Sequence, residues 1–182
     1  GYIAVAPDLF WRIEPGVSLT DKSQKEWDKA FELMNNFLPH FDKGVSDIAT
    51  TISHVRSMKE CSNKVGTVGY CLGGSLAYAA ACHTDADACA GYYPVQIEDS
   101  LDLSSGIKNP TILHIAENDS FCPPEAQDKI KEALEPNEYV TLYSYSGVDH
   151  AFARAGGDNF DVKAATTANE RTAALFASNL KL

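Results

Sequence analysis

Apolar residues along this chain fall into short runs, and between the runs they recur every three or four positions. The stretches 2–6 (YIAVA), 64–70 (KVGTVGY), 87–93 (DACAGYY), 110–116 (PTILHIA) and 139–145 (YVTLYSY) are short and apolar on both faces, which predicts buried parallel strands. Val45, Ile48, Ala49, Ile52, Val55 and Met58 instead form one helical stripe, predicting a helix near 44–59 that lies against a sheet. Residues 24–37, 73–83, 123–135 and 162–180 read as further helices. Strands alternating with helices predict an α/β fold, a mostly parallel sheet with helices on both faces. With no repeat and no low-complexity linker, residues 1–182 are expected to form a single domain.

The start of the chain departs from that regularity. Run 2–6 resembles a mid-sheet strand, yet a long connection (PDLFWRIEPGVSLTDKSQ) follows it and no earlier element is available to pack against it. This predicts a fold truncated at its N-terminus. An apolar sheet edge near 2–6 would then invite pairing with another chain, so a homodimer or strand-exchanged oligomer is expected.

Composition narrows the function. The chain has 182 residues, 45% of them hydrophobic, enough for one real core. Fifteen Lys and Arg against 25 Asp and Glu give a net charge of −10. No basic run is present, so nucleic acid is a poor partner. No apolar run is long enough to span a membrane, and the opening GYIAVAPDLF is short, lacks a basic flank and contains Pro7. A membrane partner and a signal peptide are therefore not expected, and a soluble, cytoplasmic protein is. The five cysteines are odd in number and form no C-x-x-C pair, which argues for a reducing compartment and against a disulfide framework. The five histidines are scattered. Neither a metal nor another cofactor is called for.

One segment carries distinctive chemistry. Gly69-Tyr70-Cys71-Leu72-Gly73 follows a predicted strand and opens a predicted helix, the setting of the G-x-S-x-G nucleophile turn, with cysteine in the serine position. The helix N-terminus suits a negative sulfur at Cys71, and the Leu72 N–H would point at a developing oxyanion. A small buried cysteine in a glycine-rich turn is the plainer alternative, and it is the reading favoured for Cys61, Cys82, Cys89 and Cys122. Downstream partners distinguish Cys71. Asp119 follows strand 110–116 and His150 follows strand 139–145, both at the sheet edge that carries the turn, in the chain order nucleophile, acid, histidine. An imidazole would handle the thiol proton, and a carboxylate would fix its tautomer. Glu117, Asn118 and Asp149 are rivals to Asp119. His114 lies within a buried strand and reads as a satisfied core histidine, whereas His40, His54 and His83 read as surface residues.

The motifs VAPDLF-R-PG, VGYCLGG, GYYPV, END-F-P and DHAFAR, with ANER in the last helix, resemble the dienelactone hydrolase (carboxymethylenebutenolidase) family over nearly the whole chain. The resemblance implies an α/β-hydrolase fold and a Cys71–His150–Asp119 triad that opens a small enol-lactone to maleylacetate in aromatic degradation. It also implies that Arg12 and Arg154 bind the substrate carboxylate, a task that suits the guanidinium fork. Tyr70, Trp11 and Phe152 are candidate pocket residues. The family's opening strands are missing, together with a loop that supplies a second oxyanion donor and an activating glutamate; Glu14 and Glu26 do not occupy that motif. One such donor is typically worth ~10²–10³ in rate. Hydrolysis of a small anionic lactone or ester is thus the leading expectation. A catalytically weak scaffold, a thiol-reactive binder or a redox-sensing cysteine are the alternatives.

Overall fold

Four of the five apolar runs pair into one sheet. In the computed structural model, which describes residues 1–20 and 22–181, helices α1 (Gln24–Phe37) and α2 (Phe41–Ser57) come first. They are followed by β1 (Gly66–Tyr70), α3 (Leu72–His83), β2 (Ala88–Tyr92), β3 (Thr111–Ala116), α4 (Pro124–Leu134), β4 (Val140–Tyr145) and α5 (Val162–Asn179). The strands lie in the order β1-β2-β3-β4, and every pairing is parallel. Every residue of β2 and β3 is buried, as expected of central strands covered on both faces.

Two separate apolar clusters show how the faces are covered. Ile52 and Val55 of α2, Tyr78 of α3, and Ile130 and Leu134 of α4 pack with Leu113 and Ile115 in one. Ala164 and Ala168 of α5 pack with Tyr92, Tyr145 and Phe152 in the other. Helices therefore cover both faces of a parallel sheet, as the segment order predicts. Burying one such large side chain is worth about 1.5–3 kcal/mol, so these clusters dominate the cohesion of the fold.

The helix starts are written locally. Ser23 caps α1 by accepting from the Glu26 N–H, while the Glu26 carboxylate accepts from the Ser23 and Thr20 hydroxyls. This reciprocal arrangement satisfies donors that the first turn leaves open. Asp161 caps α5 through the Ala164 N–H at 2.7 Å. Near its other end, α1 buries Leu33 and Phe37, and Phe37 lies over Gly44 of α2.

The first apolar run does not form the expected strand. Residues 1–8 carry no regular structure and are exposed. They run beside β1 with a cavity of about 370 Å³ between them, lined by Tyr2, Val5, Val68 and Leu76 among others. A strand is a pairing rather than a local conformation. Apolar pattern alone does not supply a hydrogen-bonding neighbour, and no described strand lies on that side of β1. Among the described strands the edges of the sheet are β1 and β4, and 2–6 is not one of them. Short 3₁₀ turns at Leu38–His40, Ile97–Asp99 and Leu101–Gly106 fill connections that the apolar pattern left as loops.

Candidate active site

β1 ends at Tyr70 and α3 begins at Leu72, so the reversal from strand to helix falls on Cys71. Its backbone takes φ 56° and ψ −121°, a region that costs a residue bearing a Cβ about 1–3 kcal/mol. Hydrogen bonds hold the strain. The Cys71 N–H donates to the Tyr92 carbonyl at 3.1 Å, and the Cys71 carbonyl accepts from Gly74 and Ser75 at 2.8 and 3.1 Å. The turn also needs bare backbone. A Cβ on Gly69 would lie 1.8 Å from the Gly73 oxygen, and one on Gly74 would lie 2.6 Å from the Tyr92 oxygen. Gly73 has open space where its Cβ would be, so the steric demand rests on Gly69 and Gly74. The Leu72 N–H, in the first turn of α3, meets no acceptor among the described residues and is open to a ligand.

The loops after β3 and β4 bring the acid and the histidine together. His150 Nδ1 and Asp119 Oδ2 are 2.7 Å apart, and the second Asp119 oxygen accepts from the Phe121 N–H at 2.8 Å. Asp119 is 2% exposed, so its carboxylate acts in a medium where charge is weakly screened. Asp149 accepts from the His150 N–H, and the Asn118 N–H donates to the Val148 carbonyl. Asn159 secures the loop by donating to the His150 carbonyl at 2.9 Å.

Two opposing influences set the His150 proton. Burial pulls its pKa down, but hydrogen bonding and electrostatic influence from Asp119 and Cys71 outweigh it and lift the value to about 9. The imidazole is therefore coupled to both Cys71 and Asp119, and carries its proton at neutral pH. Two rings flank it: Tyr93 at a centroid distance of 4.9 Å and Phe121 at 4.8 Å, both edge-on. Tyr93 and Ala151 also have positive φ, 37° and 63°, so backbone strain is gathered around this histidine and Cys71.

The two arginines are placed differently. Arg154 leaves the His150 loop, and its charge reaches the Tyr93 phenol, opposing the upward push that burial gives that hydroxyl. Arg12 is engaged by Asp47 of α2: Nη2 lies 2.9 Å from Oδ1, Nη1 also contacts Oδ2, and the Trp11 indole donates to the same carboxylate at 3.2 Å. Hydrogen bonding from Arg12 holds the Asp47 carboxyl below its usual range. The structure thus brings Cys71, Asp119, His150 and Arg154 to one place and ties Arg12 to α2.

Of the expected pocket aromatics, Phe152 is fully buried beneath Tyr93, 5.4 Å away, and Tyr70 is exposed at 47%. Sequence reasoning missed Tyr93, Phe121 and Asn159. Tyr93 in GYYPV and Phe121 in END-F-P lay within family motifs, but their contacts with the His150 ring arise between segments distant in sequence. His114 is buried, with its ring nitrogens 2.8 Å from the Tyr145 hydroxyl and 3.0 Å from that of Thr172, and burial depresses its pKa to about 3. It is the satisfied core histidine that its strand position predicts. Cys82, Cys89 and Cys122 are buried and Cys61 is partly so. Among the described residues there is no cluster of His, Cys, Asp or Glu suited to a metal, and no helix is long and apolar enough to cross a membrane.

Residues 1–180 match the dienelactone hydrolase family. The chain belongs to that family. A chain from Azospirillum brasilense, provisionally named a carboxymethylenebutenolidase, is 43% identical over 99% of this chain and 77% of its own length. The carboxymethylenebutenolidase of Pseudomonas sp. strain P51 is 36% identical, over 94% of this chain and 71% of that one. Among solved structures, a dienelactone hydrolase-like promiscuous phosphotriesterase from metagenomic libraries superposes with a TM-score of 0.70 at 12% identity, covering 87% of this chain and 70% of that one. An esterase of Pyrococcus furiosus superposes with a TM-score of 0.63 at 14% identity, covering 77% and 63%. The fold is that of the α/β-hydrolases, and this dienelactone hydrolase family member is an ester or lactone hydrolase.

Proposed function

We propose that this dienelactone hydrolase family member hydrolyses a small anionic lactone or ester through a covalent Cys71 thioester, with the opening of dienelactone to maleylacetate as the candidate reaction that its likeness to proteins named carboxymethylenebutenolidase suggests. The observation that carries the reading is the buried His150–Asp119 pair, 2.7 Å apart, electrostatically coupled to the strained Cys71 at the β1–α3 turn.

In this mechanism the proton of the pair resides on His150, so sulfur attacks the carbonyl carbon as a thiolate. The carbonyl π electrons move to oxygen, where the Leu72 N–H donates to the developing negative charge. The C–O bond then breaks, and His150 gives its proton to the departing oxygen, which in a lactone stays tethered to the acyl group. Neutral His150 next takes a proton from water; the resulting hydroxide attacks the thioester, and the thiolate leaves. Asp119 keeps the imidazole in the tautomer that serves both steps and stabilises its charged form. Arg154 supplies a positive charge for a substrate carboxylate at the mouth of the site, which matters in a chain of net charge −10.

Turnover of cis- and trans-dienelactone and of p-nitrophenyl acetate by the parent and by Cys71→Ala tests this reading. Activity in the parent that is abolished in the variant supports it; equal rates for both proteins would sink the nucleophile assignment. Arg154→Ala is expected to raise KM for the carboxylate-bearing lactones about tenfold or more, with little change on the neutral ester.

A further inference from the structure

The catalytic histidine stands at the end of a row of rings. Phe121 meets it edge-on at 4.8 Å, Phe31 of α1 lies 6.4 Å from Phe121, and Trp27, one helical turn earlier, stacks on Phe31 at 5.8 Å with 26° between the planes. All three aromatic residues keep substantial open surface, 39% for Trp27, 37% for Phe31 and 46% for Phe121. Large rings rarely stay exposed in a contiguous line without a use, because each leaves apolar area in water. They are not core residues of α1, whose buried positions are Leu33 and Phe37. Trp27 and Phe31 are four apart, so the helix presents them on one face, and that face leads to Phe121 and the reacting histidine.

We propose that Trp27, Phe31 and Phe121 form a stacking wall that binds a planar aromatic or extended conjugated group of the ester, beside Cys71 and His150. The claim rests on the hydrolase reading above and deepens it by naming the class of substituent the site selects. A flat π-face offers little to a branched or flexible aliphatic chain beyond contact area. It offers an aromatic ring offset-stacked or edge-on geometry worth more than area alone. The ring spacings within the row, 5.8 and 6.4 Å, extend its apolar surface beyond a single five-membered lactone, so fused bicyclic substituents gain most.

Binding of two carboxylates that the enzyme does not hydrolyse, 2-naphthoate and hexanoate, separates the wall from the chemistry. Both present the same carboxylate, and they differ in whether the rest is a planar ring system. Calorimetric Kd values would be measured on the parent, on Trp27→Leu/Phe31→Leu and on the ring-retaining Trp27→Phe/Phe31→Tyr, with protection of Cys71 from iodoacetamide showing that the ligand sits at the site. The leucine pair is expected to weaken 2-naphthoate about threefold to tenfold and hexanoate less than twofold, and the ring-retaining pair to restore 2-naphthoate binding. Equal weakening of both ligands, no weakening of either, or 2-naphthoate binding that leaves Cys71 unprotected would overturn the proposal. Because neither probe is turned over, these outcomes stand whether or not Cys71→Ala abolishes hydrolysis, so failure of the wall and failure of the hydrolase reading are told apart.

Discussion

His150 is pulled in two directions, and the balance can be shifted one residue at a time. Burial lowers its pKa, and the Asp119 and Cys71 partners raise it to about 9. A histidine whose folded pKa is raised keeps its proton until pH passes that value, so general-acid help to the leaving oxygen should fade as pH rises through about 9. Asp119→Asn removes the largest upward influence. It is expected to move the alkaline limb of kcat/KM to lower pH and to reduce kcat ~10²–10⁴-fold, since the amide neither stabilises the imidazolium nor fixes the tautomer. An unchanged alkaline limb would argue that Asp119 does not face the working imidazole. The residue scale is also where the sequence was most legible. Chain order and strand ends pointed to Cys71, Asp119 and His150, and the structure places Asp119 Oδ2 2.7 Å from His150 Nδ1. Arg12 shows the limit: a motif position does not reveal that Asp47, on a helix distant in sequence, is its partner.

At the scale of elements, the strand-to-helix turn depends on the absence of a side chain at Gly69. A Cβ there would meet the Gly73 carbonyl oxygen at 1.8 Å, a clash with backbone that no rotamer relieves. Gly69→Ala is therefore expected to destabilise the protein by about 3 kcal/mol or more, read as a lower urea midpoint, whereas Gly73→Ala, with open space around the added carbon, should cost far less. Comparable midpoints for the two variants would contradict this account of the turn. Most helices were legible because a cap or periodicity joins a buried stripe, and α1 begins and ends as its pattern predicts, Gln24–Phe37; α3, buried continuously from Gly74 to Cys82, was legible instead as a run of small apolar residues after the turn. Run 2–6 was misjudged because apolar pattern reports burial tendency and not the presence of a partner strand. The aromatic row from α1 to Phe121 was invisible for a related reason: ring contacts between distant segments leave no periodic trace.

The whole molecule carries two histidines with opposite linkage. His114 is held neutral by burial, with a pKa of about 3, so its contribution to stability is present above the unfolded value of about 6.5 and is lost as pH falls from there toward 3. His150, raised to about 9, contributes stability that is complete below about 6.5 and is lost as pH rises toward 9. Urea midpoints are expected to peak near pH 6.5 and fall on both sides, with the alkaline fall reduced in Asp119→Asn; a midpoint rising steadily from pH 6.5 to 9 would contradict that. The central claim, that Cys71 carries the acyl group, is met most directly by quenching a reaction with p-nitrophenyl acetate in acid and weighing the intact chain and its peptides. The account predicts one acetyl group on the peptide containing Cys71, formed in a burst and absent from Cys71→Ala. Turnover with no acyl group on that peptide, or with one on another residue, would contradict it.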